Sequence, residues 1–256
     1  MSAEARIRAA REELVAVRAE LAQALGQDRT RRRAGMNRQM HELNRMLMPE
    51  YRYLSQAGQD RVVDRLLDGK TGGTFADVGG YDGYSGSNTL YFELHRGWTG
   101  VLVEPVPAQL EKARVVRRCP CLGLAVAATA GEADFIEVKE GFTQMSGLAE
   151  TYEPGLLETV RNDPRHRESV LRVETRTLSD ILTSSGVPDP DFLSLDIEGG
   201  EIAVLEAFPF DRHDVTIWSI ENNTATGRIP EILRDNGYDL VEFCGPDDIY
   251  HKRQAR

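Results

Sequence analysis

TFADVGGYDGYSGSNT, residues Thr74–Thr89, carries the strongest fold signal in this chain. A short apolar run typical of a strand ends near Asp77, and it is followed by a turn rich in glycine, with Gly79, Gly80 and Gly83. A helix is predicted to begin near Ser87. In open α/β sheets, ligands bind beyond the carboxyl ends of the strands, where glycines let the backbone approach closely and the next helix offers free N–H groups. The stretch therefore predicts a strand, a ligand-binding turn and a helix.

From this stretch onward, apolar runs typical of strands alternate with segments of helical periodicity. The predicted strands are Thr74–Val78, Gly100–Val103, Leu122–Ala127, Phe192–Leu195, Val215–Ile220, Tyr238–Phe243 and Ile249–Arg253. The predicted helices between them are Ser87–Leu94, Pro107–Arg117, Glu201–Ala207 and Ile229–Asn236. This alternation predicts a doubly wound, mostly parallel seven-stranded sheet with helices on both faces. The segment 143–167 fits least well, so it is either a structural excursion or an insertion that carries substrate specificity.

The first 50 residues are predicted to form a helical extension, ahead of an α/β domain that spans residues 51–256. Apolar residues recur in the first segment at spacings of three and four, as in a coiled coil, at Ile7, Ala10, Leu14, Val17, Leu21 and Ala24. A coiled coil of three heptads is only marginally stable in isolation. The stripe is therefore expected either to pair with its copy in a homodimer or to pack on its own domain. A second helical stretch carries methionines, which fill a core or line the approach to an apolar substrate.

Composition excludes several classes of function. The net charge of the 256 residues is −10, although the first 50 residues hold ten arginines against seven acidic residues, so the main body is strongly acidic. An acidic body repels phosphate, which disfavours a nucleic-acid partner. No apolar run approaches the roughly 18 residues of a membrane span, and the charged start is no secretory signal, so we expect a cytoplasmic protein. Three irregularly spaced cysteines predict reduced thiols.

An acidic residue follows the second strand, as Glu104-Pro105, about 20 residues after the glycine turn. A carboxylate at this position accepts hydrogen bonds from the ribose hydroxyls of a nucleoside cofactor. The turn reads D-x-G-G-x-x-G and departs from the dinucleotide fingerprint G-x-G-x-x-G. The two motifs together predict a nucleoside cofactor, which is either S-adenosylmethionine or NAD(P).

Further polar residues follow the next two strands of the predicted sheet. DFLSLDIEGGE delivers Asp196 and then Glu198, and the following strand ends in Glu221-Asn222-Asn223. A carboxylate beyond the fourth strand faces the transferred group, where it takes a proton as general base or binds a metal that acidifies a hydroxyl. Oxygens of Asp196, Glu221 and Asn222 together suit Mg²⁺. The alternatives are a helix-capping Asp and an ordinary polar loop.

These residues resemble the FkbM family of methyltransferases. The ordered motifs that match are SQAGQD (Ser55–Asp60), FADVGGYDG (Phe75–Gly83), SNT (Ser87–Thr89), GWTGVLVEP (Gly97–Pro105), VETRTLSDIL (Val173–Leu182) and SLDIEGGE (Ser194–Glu201). The resemblance implies a class I methyltransferase fold, which is Rossmann-like. It also implies methyl transfer from S-adenosylmethionine, commonly to a hydroxyl of a sugar, polyketide or other natural product.

The resemblance also implies roles for individual residues. The methionine end of the cofactor is expected at Asp77, Gly79, Gly80, Gly83, Ser87 and Asn88, the ribose at Glu104 and Pro105, and the adenine at Ala125 and Val126. Asp196 is expected near the methyl group. The set Asp196, Glu221 and Asn222 is similar to the metal site of catechol-type O-methyltransferases, but the lysine of those enzymes is replaced here by Gly199. Asp196 would then be both ligand and base, with His213 and His251 as alternative bases.

Two other functions compete with this interpretation. The glycine turn and Glu104 are also compatible with an NAD(P)-dependent oxidoreductase or epimerase. A non-catalytic scaffold, dimerised through Ile7–Ala24, would use the helical stripe alone. The presence of Asp77, Glu104 and Asp196 together counts against the scaffold, and a cofactor-binding assay separates the methyltransferase from the NAD(P) enzyme. Its acceptor is expected to be a small molecule.

Overall fold

The computed structural model describes residues 1–253, and residues 254–256, at the end of the predicted α/β domain, lie outside the described residues. The helices are α1 (Ala3–Gln27), α2 (Arg33–Leu47), α3 (Gln59–Leu66), α4 (Leu90–His95), α5 (Pro107–Val116), α6 (Pro154–Arg161), α7 (Leu178–Ser184), α8 (Glu201–Ala207) and α9 (Arg228–Asp235). The strands are β1 (Thr74–Val78), β2 (Thr99–Val103), β3 (Cys121–Leu122), β4 (Ala125–Val126), β5 (Gly131–Glu140), β6 (Gly147–Leu148), β7 (Arg167–Arg176), β8 (Phe192–Leu195), β9 (Ile217–Glu221), β10 (Tyr238–Cys244) and β11 (Asp247–Lys252).

Seven strands form the main sheet in the order β10-β11-β9-β8-β1-β2-β3. Strands β3, β2, β1, β8 and β9 run parallel, and β11 is antiparallel to both of its neighbours. Helices α7, α8 and α9 contribute to a core on one face, and α3 and α4 contribute to a core on the other. The predicted doubly wound sheet is therefore confirmed. Chain order reverses at β1, between β2 and β8, which is where such sheets bind ligands.

A second sheet, of order β4-β7-β5-β6, was not predicted. Its long strands β5 and β7 pair antiparallel over most of their length and are rich in charged residues, because one face of the pair is open to solvent. The predicted single strand Leu122–Ala127 is split, since β3 belongs to the main sheet and β4 to the second one. The segment 143–167, expected to be irregular, contains β6 and α6 and connects β5 to β7.

Helices α1 and α2 form a hairpin that lies against the edge of the main sheet. In α1, Leu14, Val17 and Leu21 are half-buried, whereas Ile7 is 71% exposed. This part of the predicted stripe is partly covered by α2, and pairing with a second copy stays a prediction. Although α1 has 25 residues, it is charged throughout, and no helix within residues 1–253 is long and apolar enough to cross a membrane. All three cysteines have free thiols.

Buried ion pairs fasten this hairpin to the last two strands of the sheet. Arg33 donates from Nε to Oε1 of Glu242 at 2.6 Å and also donates through Nη2 to the second carboxylate oxygen. Arg31 donates to the buried carboxylate of Asp248 and to the backbone carbonyls of Asn222 and Pro246. The N-terminal extension therefore also contacts the backbone that follows β9, where a predicted site residue lies.

We expect Arg33→Met to destabilise the fold strongly. The side chain of Glu242 is 4% exposed, and removing its partner leaves a buried carboxylate unpaired, which costs about 3 kcal/mol. Guanidinium denaturation should report that loss in the free energy of unfolding. The neighbouring Arg32 side chain is 85% exposed, so Arg32→Met is the matched control and should change stability little. Equal losses in both variants would contradict the anchoring role of Arg33.

Candidate active site

The site lies at the carboxyl end of the main sheet, on the face that packs against α3 and α4. Alternate residues of a strand point to the same face. Along β1, β8 and β9 the side chains on this face form three rows across the sheet, and the rows become more polar toward the carboxyl end. The first row is apolar, with Phe75, Phe192 and Ile217. The second row is polar, with Asp77, Ser194 and Ser219, and the third is acidic, with Asp196 and Glu221. Asp247 of β11 pairs with Glu221 and extends the acidic row. The strand register thus gathers three carboxylates from residues far apart in the sequence.

A cavity of about 280 Å³ opens above these rows. Most of the predicted site residues line it, namely Asp77, Gly79, Gly80, Ser87, Asn88, Glu104, Pro105, Ala125, Val126, Asp196 and Glu221. Gly83 and Asn222 are not among the lining residues. The glycine turn, the acid after β2 and the acid after β8 therefore share one cavity, as the motif order predicted.

The glycine turn lies directly against the backbone of Asp196. Gly79 has φ +82°, and a Cβ at this position would lie 1.6 Å from the carbonyl oxygen of Asp196. Only glycine fits such a position. The N–H groups of Gly79 and Gly80 donate to the carbonyl of Val103 at 3.0 and 3.1 Å, which fixes the turn to β2. The predicted cofactor turn and the predicted reacting carboxylate are thus held together by backbone contacts.

Helix α4 begins at Leu90, three residues later than the sequence predicted. Ser87 Oγ accepts hydrogen bonds from the N–H groups of Thr89 and Leu90, so Ser87 acts as a cap ahead of the helix. The side chain of Asn88 donates to Ser194 and to Asp247 at 3.0 and 3.1 Å. Its Oδ1 is buried without a hydrogen-bond partner in the part of the chain that the structure describes. Asn88 is therefore a free acceptor in the cavity wall.

Glu104 is buried at the end of β2 and is held by two backbone groups. Its Oε2 accepts from the N–H of Tyr81 at 2.9 Å, and its Oε1 accepts from the N–H of Val106 at 2.7 Å. Burial raises the pKa of Glu104 to about 7, although both hydrogen bonds favour the ionised form. The carboxylate is thus fixed in orientation before any ligand arrives.

Three acidic side chains meet beyond β8 and β9. Asp196, Glu198 and Glu221 each place a carboxylate oxygen within 4.8 Å of the others. Burial and the Asp247 carboxylate raise the pKa of Asp196 to about 8, and burial together with the Asp196 carboxylate raises the pKa of Glu198 and Glu221 well above the ordinary value. Glu221 Oε2 is buried without a hydrogen-bond partner within residues 1–253. Buried oxygen ligands in this number suit a hard divalent cation.

The cluster includes Glu198, which was not among the predicted ligands, and the side chain of the predicted ligand Asn222 lies apart from it. Asn222 follows Glu221 directly and so points to the opposite face of the sheet, where its amide nitrogen donates to Asp248 at 2.8 Å. Glu198 has φ +58°, a strained conformation for a residue with a side chain, and its Oε2 accepts from Asn223 at 3.3 Å. The alternation of side chains along β9 was the signal that could have excluded Asn222.

The two histidines considered as bases do not line the cavity. Both ring nitrogens of His213 are in hydrogen bonds, with Ser179 Oγ and the carbonyl of Pro188, each at 2.7 Å. His251 lies in β11 opposite Ile217, at the start of β9 and therefore away from the acidic row. Neither of these two histidines is therefore placed to act on a group bound in this cavity.

Elements outside the main sheet complete the cavity wall. Phe135 of the second sheet and the segment 143–148 line one side, and the hydroxyl groups of Tyr81 and Thr143 lie 2.7 Å apart, linking this segment to the glycine turn. Arg38 of α2 lines the cavity as well, with Gln56 before α3 and Gln59 at the start of that helix. Asp247 and these residues were not predicted, because the strand and helix pattern gives no sign of which loops meet at the cavity.

The comparisons with known proteins agree with these motifs. Residues 77–240 match the family model of the methyltransferase FkbM domain. Among solved structures, the chain is similar to methyltransferase FkbM from Methylobacillus flagellatus KT, with a TM-score of 0.47, 16% identity, and coverage of 93% of this chain and 58% of that chain. This chain therefore spans little more than half the length of that protein. No curated protein matches the chain.

Two further structures are similar over most of their own length. One is a TehB-like SAM-dependent methyltransferase from Corynebacterium glutamicum, with a TM-score of 0.40, 13% identity, and coverage of 82% of this chain and 94% of that chain. The other is precorrin-6y C5,15-methyltransferase from Geobacter metallireducens, with a TM-score of 0.44, 12% identity, and coverage of 78% and 89%.

Proposed function

The chain belongs to the FkbM family of methyltransferases, and from this premise we propose that it methylates a hydroxyl of a small molecule, such as a sugar, polyketide or other natural product, with S-adenosylmethionine as donor. The observation that carries the proposal is the contact between the glycine turn and the backbone of Asp196, which joins a cofactor-binding motif to a half-buried carboxylate in one cavity. An enzyme that transfers a methyl group to a hydroxyl needs this juxtaposition of donor and proton acceptor.

The residues of the cavity fit the cofactor. Glu104 would accept hydrogen bonds from the ribose hydroxyls, with Pro105 beside them, and Ala125 and Val126 would border the adenine. The methionine end would lie at the glycine turn, near Asp77, Ser87 and Asn88. The free Oδ1 of Asn88 can accept a hydrogen bond from an ammonium group. When bound, S-adenosylmethionine supplies an electrophilic methyl group.

Asp196 is proposed as the general base. Its pKa is raised by burial, so it holds a transferred proton more readily than an exposed aspartate would. The Asp196 carboxylate would accept the proton of the acceptor hydroxyl, and S-adenosylmethionine would supply the methyl group and leave as neutral S-adenosylhomocysteine. The positive charge of the sulfonium is lost in the same step, so charge and atoms balance.

A divalent cation, with Mg²⁺ as the first candidate, is proposed beside Asp196. Its ligands would be Asp196, Glu198 and Glu221, whose free Oε2 supports this assignment, and Asn222 would not take part. A cation bound there would lower the pKa of the acceptor hydroxyl and offset the repulsion among the buried carboxylates. Asp196 would then combine the roles of ligand and base.

Binding of S-adenosylhomocysteine and of NAD tests the proposal directly. We expect isothermal titration to detect S-adenosylhomocysteine binding and no NAD binding, and labelled S-adenosylmethionine to methylate members of a hydroxylated acceptor panel. Binding of NAD alone would favour an oxidoreductase or epimerase. Binding of S-adenosylhomocysteine without methylation of any acceptor in a broad panel would favour a non-catalytic role.

The affinity for S-adenosylhomocysteine is expected to rise with pH. Below its pKa of about 7 the Glu104 carboxyl is protonated and accepts ribose hydroxyls poorly, whereas above it the ionised form binds them. If only the ionised form binds, the dissociation constant should fall about tenfold between pH 6 and pH 8. Titrations at three pH values should detect this change in wild type and its absence in Glu104→Gln. The same slope in both proteins would remove Glu104 from the ribose site.

We further propose that α1 pairs with a second copy of the chain. Its exposed first half carries Ile7 and Val15, which are 71% and 52% exposed, and pairing would bury them. Light scattering should then give a dimer mass for wild type and a monomer mass for Ile7→Glu, with Arg8→Glu as the control beside it. A monomeric wild type at micromolar concentration would contradict the pairing.

A further inference from the structure

Arg117, just after α5, is an unexpected neighbour of the cofactor site. Its side chain is fully buried, and its Nη1 donates to Asp77 Oδ2 at 3.0 Å while its Nε donates to Glu93 Oε2 at 2.5 Å. Its Nη2 donates to Thr89 Oγ1 at 2.8 Å. An isolated guanidinium is costly to bury, so the two carboxylates are needed to keep it there. Arg117, Asp77 and Glu93 form a buried triad.

The triad holds both sides of the glycine turn. The guanidinium carbon of Arg117 lies 5.1 Å from the ring centre of Phe75, in the strand that leads into the turn. A Cβ at Gly83, where φ is +75°, would lie 2.9 Å from Arg117 Cγ. Gly83 is therefore needed for the turn to pass over the Arg117 side chain, which explains why it does not line the cavity although its motif lies there.

Each carboxylate of the triad is fixed by further hydrogen bonds. Glu93 Oε1 accepts from the N–H groups of Arg118 and Cys119 at 2.5 and 2.8 Å, so Glu93 anchors the chain that carries Arg117. The hydrogen bonds that Asp77 accepts within residues 1–253 all fall on Oδ2, from Arg117, Thr89 and Ser87. Asp77 also lines the cavity. Its Oδ1 is left for a ligand, in a fixed orientation.

The charge of the triad matters as much as its geometry. Two carboxylates and one guanidinium leave a single negative charge beside the methionine end of the proposed cofactor site. We propose that Arg117 is a positioning residue for the amino-acid part of S-adenosylmethionine, holding Asp77 so that Oδ1 accepts from the α-ammonium group. This inference rests on the proposed function, because it needs the cofactor to bind at the glycine turn.

Two probes separate this role from general stability. S-adenosylhomocysteine carries the amino-acid part, whereas 5′-methylthioadenosine has the same nucleoside and sulfur without it. Arg117→Lys keeps the charge but cannot reach all three partners, so we expect the dissociation constant of S-adenosylhomocysteine to rise at least tenfold and that of 5′-methylthioadenosine to change less than twofold. Glu93→Gln, which makes the triad neutral, should give the same selective loss.

Glu104→Gln is the matched control, because both probes carry the ribose and should weaken together. Thermal unfolding of each variant identifies any that fails to fold, and Glu93→Gln carries the test if Arg117→Lys does not fold. If both variants lose affinity equally for the two probes, or lose affinity for neither probe, Arg117 is not a positioning residue. That result would leave the proposed function itself standing. A wild type that binds neither probe would overturn the proposed function together with this inference.

Discussion

Asp196→Ala is expected to lower turnover at least 100-fold while the dissociation constant of S-adenosylhomocysteine stays within about threefold of wild type. General bases contribute about 10²–10⁴ to rate, and the carboxylate lies at the acidic end of the cavity. Gly79 packs against the backbone carbonyl of Asp196 rather than its side chain, so the substitution should leave the glycine turn in place. Methyl transfer from labelled donor and isothermal titration measure the two quantities separately.

The stability of Asp196 variants shows whether a loss of turnover comes from catalysis or from unfolding. The pKa of Asp196 is raised in the folded state, so ionisation disfavours folding, and the stability of the wild type should fall as pH rises through that pKa. Asp196→Asn removes the charge and keeps the shape. It is therefore expected to unfold at a higher temperature than wild type at pH 8, and still to be inactive. An active Asp196→Ala enzyme would remove the assignment of this residue as base.

The main sheet could be predicted because its signals are local. Buried parallel strands are short apolar runs, and β1 and β8 were predicted to the residue from such runs. The second sheet could not be found in this way, because β5 and β7 are charged and half-exposed and their pairing joins residues 27 to 44 positions apart. A strand of that kind has no apolar run, and its partner strand is visible only in three dimensions.

The candidate site divides in the same way. Residues at the end of a predicted strand, such as Asp77, Glu104 and Asp196, could be predicted because the fold brings strand ends together. Asp247 and Arg117 could not, since Asp247 begins the antiparallel strand β11 and Arg117 follows helix α5, so neither lies at the end of a parallel strand. The sequence alone suggested Asn222 as a ligand, and only the strict alternation of facing along β9 would have corrected it.

Cation binding at Asp196, Glu198 and Glu221 can be measured without an activity assay. We expect Mn²⁺, followed by electron paramagnetic resonance in the presence of S-adenosylhomocysteine, to bind once per chain and to be displaced by Mg²⁺. Glu198→Gln and Glu221→Gln each remove one charged ligand from a set of three, so each should weaken Mn²⁺ binding at least tenfold. Exhaustive treatment with EDTA should lower turnover in the wild type, and added Mg²⁺ should restore it.

Asn222→Ala is the control that distinguishes the two possible ligand sets. The Asn222 amide donates to Asp248 on the opposite face of the sheet, so its loss should leave Mn²⁺ binding unchanged if Glu198 is the third ligand. Weaker Mn²⁺ binding in Asn222→Ala, with unchanged binding in Glu198→Gln, would support the ligand set predicted from sequence, which is Asp196, Glu221 and Asn222. Turnover that survives EDTA would remove the metal from the reaction and leave Asp196 as base alone. We expect unchanged Mn²⁺ binding in Asn222→Ala, because two features support a cation held by Glu198 and Glu221. Glu221 Oε2 is buried without a partner and the Glu198 backbone is strained, and both features cost free energy if the cluster binds no cation.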